Sequence, residues 1–285
     1  AMYHVKGRGK NGYTFVSDGM NGVHPQQLSL ENGIRRGLQA EQFELFFQPQ
    51  IDICGGRVCG MEALLRWHHP EQGMVMPEQF VPLSEETGLI LDLGYWVLDE
   101  ACRELRGWID RGLKGVVMAV NISAAQLKQP DFEQKIVAAL ERHRVPGGLL
   151  ELEITENVLM QDMEQAVSKL QRLCGWGVRI AVDDFGIGYS SLGYLQALPL
   201  NTLKIDRSFV QSLGSEEQSA AIIKTIVGLG RMLNMNVVAE GVESQSQIDA
   251  LISLQCPEAQ GFWFSRPVPP TEAGELLRKA RTAGH

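Results

Sequence analysis

Positive charge is in short supply: 26 Lys and Arg stand against 34 Asp and Glu, leaving a net charge of −8. This argues against a nucleic-acid polymer as partner, because phosphate backbones are held by a basic face. It leaves room for a small anionic ligand that metal ions bridge to carboxylates. No run of some 18 apolar residues exists, and no charged segment followed by an apolar one, so neither a membrane span nor a signal peptide is expected. Cysteine is sparse and without order: Cys54, Cys59, Cys102, Cys174 and Cys256 are odd in number and never spaced as CxxC. A disulfide framework or a zinc site is disfavoured, and free thiols in a reducing cytoplasm are expected. Low-complexity segments and internal sequence repeats are missing too.

What is present is a regular alternation of strand and helix. The 285 residues, 44% hydrophobic and 21% charged, suffice for one large soluble domain. Leu30, Ile34 and Leu38 recur at helical spacing behind Ser29, a good N-cap. A strand over 43–51 follows, with Pro49 suggesting a sheet edge or a strand end. Gly55-Gly56 turns the chain into a strand over 58–67, so the two form an antiparallel hairpin. Helices are predicted over Pro77–Thr87 and 90–108. Strands over 116–120, 149–154, 179–182, 202–205, 236–239 and 259–264 then alternate with helices over 132–143, 162–174, 190–197, 216–233, 245–254 and 271–281. The roughly 30-residue period over this length favours an α/β fold of the (β/α)8 barrel type; an open doubly wound sheet is the alternative.

The chain is organised around Ile180-Ala181-Val182-Asp183-Asp184-Phe185-Gly186. A buried parallel strand ends there in two adjacent carboxylates and a turn, Gly186-Ile187-Gly188. Similar polar residues recur on or just past the other strands: Glu62, Asn121, Glu153, Lys204, Glu240 and Gln260. In a barrel the carboxyl ends of the strands converge on one face. Any one of these could be a satisfied polar residue at a strand end. Five carboxylates meeting at one mouth cannot all stay ionised without cations. All-oxygen donors suit Mg²⁺ or Mn²⁺, and the lack of histidine speaks against zinc. Lys204, flanked by Leu203 and Ile205, has to point into the mouth if its neighbours are buried outward.

The motifs resemble one family. Glu62-Ala63-Leu64-Leu65-Arg66-Trp67 is the signature of EAL domains, the cyclic di-GMP phosphodiesterases. Asn121-Ile122-Ser123, Glu153-Ile154-Thr155-Glu156, Asp183-Asp184-Phe185-Gly186-Ile187-Gly188-Tyr189-Ser190-Ser191-Leu192, Leu203-Lys204-Ile205-Asp206, Glu240-Gly241-Val242-Glu243 and Gln260-Gly261 follow in the family's order. Ile187 stands where a Thr is common, at a position that is not a ligand. The resemblance implies a TIM-type (β/α)8 barrel with an antiparallel first strand, which agrees with the hairpin. It implies that Glu62, Asn121, Glu153 and Asp183 hold one ion, and Asp183 with Asp184 a second. Lys204 would orient the attacking water and Glu240 assist it, so that Lys204, Glu240 and Glu62 form the catalytic set. Glu156 and Glu243 would support the ligands from behind, and Gln260 would lie at the metal-water site. Arg66 and Gln48 would contact the dinucleotide, the alternatives being a surface salt bridge and a strand-edge residue.

The first residues, Ala1-Met2-Tyr3-His4-Val5-Lys6 and Gly7-Arg8-Gly9-Lys10-Asn11-Gly12-Tyr13-Thr14-Phe15, resemble the end of a GGDEF (diguanylate cyclase) domain. The expected organisation is a remnant of that domain over 1–16, a linker over 17–27 and the EAL barrel over 28–285, with an upstream GGDEF domain in the full-length protein. The fragment itself would be cytoplasmic, although a longer parent could be anchored to a membrane. A homodimer linked to the segment from Asp183 to Ser191 is expected from the family. The rivals to hydrolysis are a receptor that holds cyclic di-GMP without cutting it and an unrelated Mg²⁺ barrel acting on phosphorylated metabolites.

Overall fold

The computed structural model describes residues 25–160, 163–187, 192–214 and 217–283. Its strands are β1 (Phe43–Asp52), β2 (Arg57–His69), β3 (Gly73–Val75), β4 (Val117–Asn121), β5 (Leu150–Thr155), β6 (Arg179–Phe185), β7 (Thr202–Ile205), β8 (Asn236–Ala239) and β9 (Glu258–Gln260). They hydrogen-bond in the order β1-β9-β8-β7-β6-β5-β4-β2-β3, and β1 also pairs with β2. The ring is therefore closed by all strands except β3, which lies against the far end of β2. β1 runs antiparallel to both of its neighbours, β2 and β9, while the pairs from β2–β4 through β8–β9 are parallel. The barrel and its reversed first strand are as expected; the open sheet is excluded.

The β1–β2 connection shows how local chemistry sets the hairpin. Asp52 Oδ1 accepts the backbone N–H groups of Cys54 and Gly55 at 3.1 and 2.9 Å, and Gly56 takes φ 66°, a conformation that glycine adopts without cost. Pro49 is neither at an edge nor at the end of β1, contrary to expectation. Phe47 and Ile53 both donate toward the β9 side, to Val268 O and Pro257 O. Pro49 alternates in phase with Phe47, so its missing N–H falls between the Val268 bridge and the β9 pairing that starts at Gln50.

Three other boundaries move. The first helix spans Pro25–Gln39, so Ser29 is interior rather than its N-cap; a proline's fixed φ suits the first turn. Its first turn also takes up positions 25–27 of the expected linker, while the expected remnant over 1–16 and the rest of the linker lie outside the described residues. The last strand ends at Gln260, because at Gly261 the chain turns against Val242: a Cβ there would stand 2.2 Å from Val242 O. Short helices at Ala124–Lys128, Glu156–Leu159 and Arg207–Gln211, each directly after a strand, were not anticipated. Ser123 opens the first of these with a capping box to Gln126.

Side chains alternate along each strand. Leu203 and Ile205 of β7 are fully buried outward among residues such as Ile223, Ile226 and Val182, under the helix Glu217–Leu233. A separate apolar cluster around Trp67, Phe43, Phe80 and Ile34 fastens the first helix to the hairpin, with the Phe43 and Trp67 rings stacked at 5.4 Å. No helix among the described residues is long and apolar enough to cross a membrane.

Candidate active site

Lys204 is the centre of the site. Its partner on the inward face of β7, Thr202, lies one layer deeper and donates to Glu151 Oε2 at 2.7 Å. The Lys204 side chain is 1% exposed and is surrounded by acids from four other strands or strand ends. Nζ stands 2.7 Å from Glu240 Oε1, 2.8 Å from Glu153 Oε2, 3.4 Å from Asp183 Oδ1 and 3.7 Å from Glu62 Oε2. Burial works against the ammonium, yet Asp183, Glu153, Glu240 and Glu62 hold its pKa well above the usual lysine value.

The acids respond unequally to the shared cation. Burial, then the negative charge of Glu62, pushes Glu153 well above the carboxylate range in spite of Lys204. Glu240 is pushed up to about 8 by burial, with Asp183 and Glu62 adding to it against the pull of Lys204. Glu62 goes the other way: burial raises it, but Lys204 and the amides of Gln260 and Asn121 outweigh that and leave it lowered. Asn121 Nδ2 donates to Glu62 Oε1 at 2.7 Å and Gln260 Nε2 donates to Glu62 Oε2. Gln260 Nε2 also reaches Gln48 Oε1 at 3.0 Å, and Gln48 Nε2 donates to Ser265 O at 3.0 Å.

Asp183 and Asp184 illustrate how the backbone aims side chains. In a regular strand successive residues face opposite ways, which would send Asp184 outward. Along β6 and β7, Val182 pairs with Leu203 and Phe185 with Ile205, so β6 carries one extra residue there, a bulge. Asp184 takes φ 54°, a left-handed conformation uncommon outside glycine. The result is that Asp183, Asp184 and Glu240 each offer an oxygen within 4.8 Å of the others. Asp184 is exposed at the rim, but partial shielding of its carboxyl, then Asp183 and Asp206, raise its pKa.

The remaining predicted residues sit around this cluster. Glu156, 5% exposed, accepts the Gly186 N–H at 3.4 Å and so grips the turn that follows the two aspartates. Gly186 takes φ 105°, and a Cβ there would meet the Phe209 ring at 2.9 Å, so only glycine fits the turn. Arg66 is buried rather than a surface residue; Nη1 donates to Leu65 O at 2.8 Å and its guanidinium lies over the Phe46 ring. Glu243 stands apart: it is exposed on the wall of the cleft, and its backbone N–H donates to Gln247 Oε1. The cleft, of about 320 Å³, opens onto Glu62, Asp183, Glu240 and Gln260 and is flanked by Gln48 and Arg66.

Two buried residues of the site were overlooked in the sequence. Asp206 neighbours Asp184 and accepts the Ser208 N–H at 2.8 Å, capping the helix Arg207–Gln211; its signal was its place two residues after Lys204. Gln50, 3% exposed, reaches Glu153; its signal was its place two residues after Gln48 on an inward face.

The fold and the site together define an α/β barrel with a cluster of carboxylates, amides and one lysine at its mouth. The chain belongs to the EAL domain family, whose match spans residues 31–267. It is 46% identical over 269 residues to the bifunctional diguanylate cyclase/cyclic di-GMP phosphodiesterase MucR of Pseudomonas aeruginosa, covering 94% of this chain and 39% of that protein. It is 39% identical to the cyclic di-GMP phosphodiesterase NbdA of the same organism, covering 99% of this chain and 36% of NbdA. The chain thus spans well under half the length of these curated relatives. Among solved structures, the PaMucR phosphodiesterase in complex with c-di-GMP matches with a TM-score of 0.84 at 44% identity, covering 86% of this chain and 99% of that one. The EAL enzyme Bd1971 with cAMP and cyclic di-GMP bound matches with a TM-score of 0.85 at 33% identity, covering 91% and 71%.

Proposed function

We propose that this chain hydrolyses cyclic di-GMP to linear 5′-pGpG with Mg²⁺ or Mn²⁺, two ions in all, in the cytoplasm. The observation that carries the reading is the Lys204 ammonium held among Glu62, Glu153, Asp183 and Glu240 at the floor of an open cleft. The donor set fits hard cations. One ammonium faces more carboxylates than it can neutralise, Glu153 is pushed up by burial and then by the charge of Glu62, and Gln260 Oε1 is buried without a partner. Glu62, Asn121, Glu153, Asp183 and Asp184 would hold the ions, which when bound supply charge stabilisation on the phosphoryl oxygens and a lowered pKa for water.

The residues themselves divide the remaining work. Lys204 Nζ orients the attacking water by donating to its oxygen, and Glu240 Oε1, 2.7 Å from Nζ, accepts the water's proton. The water oxygen forms a bond to phosphorus as one P–O bond of the ring opens, and the departing sugar oxygen takes up a proton. Arg66 binds phosphate oxygens with its planar fork, and Gln48 and Gln260 orient the ligand across the cleft. Glu156 fixes the turn after Asp184, and Glu243 shapes the wall. The family resemblance supports a homodimer and an upstream GGDEF domain as partners.

Incubation of cyclic di-GMP with the protein and Mg²⁺ or Mn²⁺, followed by chromatography, tests the reading. The expected product is linear pGpG, lost on chelation. Tight binding without product would make the chain a receptor.

A further inference from the structure

The inward face of β1 carries a second glutamine below the cleft. Gln50 Nε2 donates to Glu153 Oε1 at 3.4 Å, while Glu153 Oε2 faces Lys204 at 2.8 Å. The contact spans the barrel interior, since β2 and β4 lie between β1 and β5 in the ring. It depends on a gap. Gln50 pairs with Gly60 on β2, and a Cβ at Gly60 would stand 2.3 Å from Gln50 Oε1 and 3.3 Å from Val117 O. Gly60 does not have a positive φ, so the requirement there is space alone. A buried amide is costly unless bonded, and a carboxylate with one oxygen anchored keeps a single orientation.

We propose that Gln50 is a positioning residue for the cation centre: it anchors Glu153 Oε1 so that Oε2 faces the site, and Gly60 leaves the room the amide needs. The inference rests on the reading of the cluster as a divalent-ion site. Groups that orient a ligand carboxylate contribute to ion affinity, and their loss weakens it by about 10- to 100-fold.

The test is calorimetric titration of the intact protein with Mn²⁺, alongside thermal melting of the metal-free form. Gln50→Met keeps the volume and removes the donor, and is expected to weaken Mn²⁺ by about 10-fold or more with a nearly unchanged Tm. Gly60→Ala is expected to do the same by displacing the amide. In a Gln50→Ala background, Gly60→Ala should add little, because the severe contact is gone and only the tight 3.3 Å approach to Val117 O remains; this non-additivity is the signature of one shared interaction. Unchanged Mn²⁺ affinity in Gln50→Met, additive effects in the double variant, or outright unfolding of Gln50→Met would each overturn the proposal, the last by making Gln50 a residue of core stability. Wild-type protein that takes up no Mn²⁺ sinks the functional reading and this one with it. Wild-type uptake matched by Gln50→Met sinks this one alone.

Discussion

Lys204 Nζ lies 2.8 Å from Glu153 Oε2, although β7 and β5 are separated in the ring by β6. The contact exists because both side chains turn inward at the same level of a closed barrel. It makes Lys204 the internal counter-charge of the acidic cluster, in addition to the water-orienting role proposed for it.

Two consequences follow for Lys204→Ala. Turnover should fall by a factor on the order of 10² or more, since water positioning and proton transfer both lose a partner. Cyclic di-GMP affinity with metal should change far less, because Arg66 and the acids remain. The metal-free Tm should drop, as removing one partner of buried charges costs about 3–5 kcal/mol, and Mg²⁺ should restore most of it. Steady-state kinetics, ligand titration and melting curves check the three parts. A collapse of affinity in step with turnover would make Lys204 a binding group.

Glu62→Gln and Asp183→Asn should both abolish nearly all turnover but differ in stability. Asp183 adds to the repulsion that raises Glu153 and Glu240, so Asp183→Asn should leave the metal-free Tm unchanged or raise it. Glu62 accepts amide donors on both oxygens, so the new amide nitrogen of Glu62→Gln would confront a donor and cost about 1–3 kcal/mol. A melting curve that ranks Glu62→Gln above Asp183→Asn would contradict this account of the donors.

Metal uptake should release protons. Glu240 is raised from 4.5 to about 8, so at pH 7 the metal-free site holds a proton that a bound cation displaces. Because the folded pKa is the higher one, its contribution to stability is complete below about 4.5 and is lost as pH rises through about 8. Metal-free protein should therefore weaken over that range, and Mg²⁺ should stabilise it more at pH 8 than at pH 6. Titrations in two buffers of different ionisation enthalpy measure the protons directly; equal heats would refute the release.

Ca²⁺ should support little activity. It is larger than Mg²⁺ and takes a looser geometry, which holds the spacing of two ions poorly. Equal rates in Ca²⁺ and Mg²⁺ would count strongly against a two-ion centre.

A homodimer is expected, with activity dependent on the segment that follows Asp184. Sedimentation velocity at assay concentrations checks it. A monomer with full turnover at nanomolar protein is the outcome that rules it out.

The sequence by itself determined the barrel and marked most residues of the candidate site. Strand and helix periodicities are local, and polar residues closing apolar strands, such as Asp183, Glu153 and Lys204, stand out against their neighbours without knowledge of what they touch. The antiparallel first strand was legible for the same reason, from the glycines between two apolar runs. What only the tertiary structure decided are relations across strands. The bulge that turns Asp184 back toward Glu240 arises from an extra residue opposite β7, and no local pattern marks it. Pro49 reads as an edge signal until the gap between its two neighbours on the β9 side is known. Asp206 and Gln50 look like ordinary polar residues because Asp184 is brought to the first only when β6 and β7 pair, and Glu153 to the second only when the ring closes. Local free-energy preferences are written residue by residue; the environment that sets a buried group's charge is a property of the closed ring.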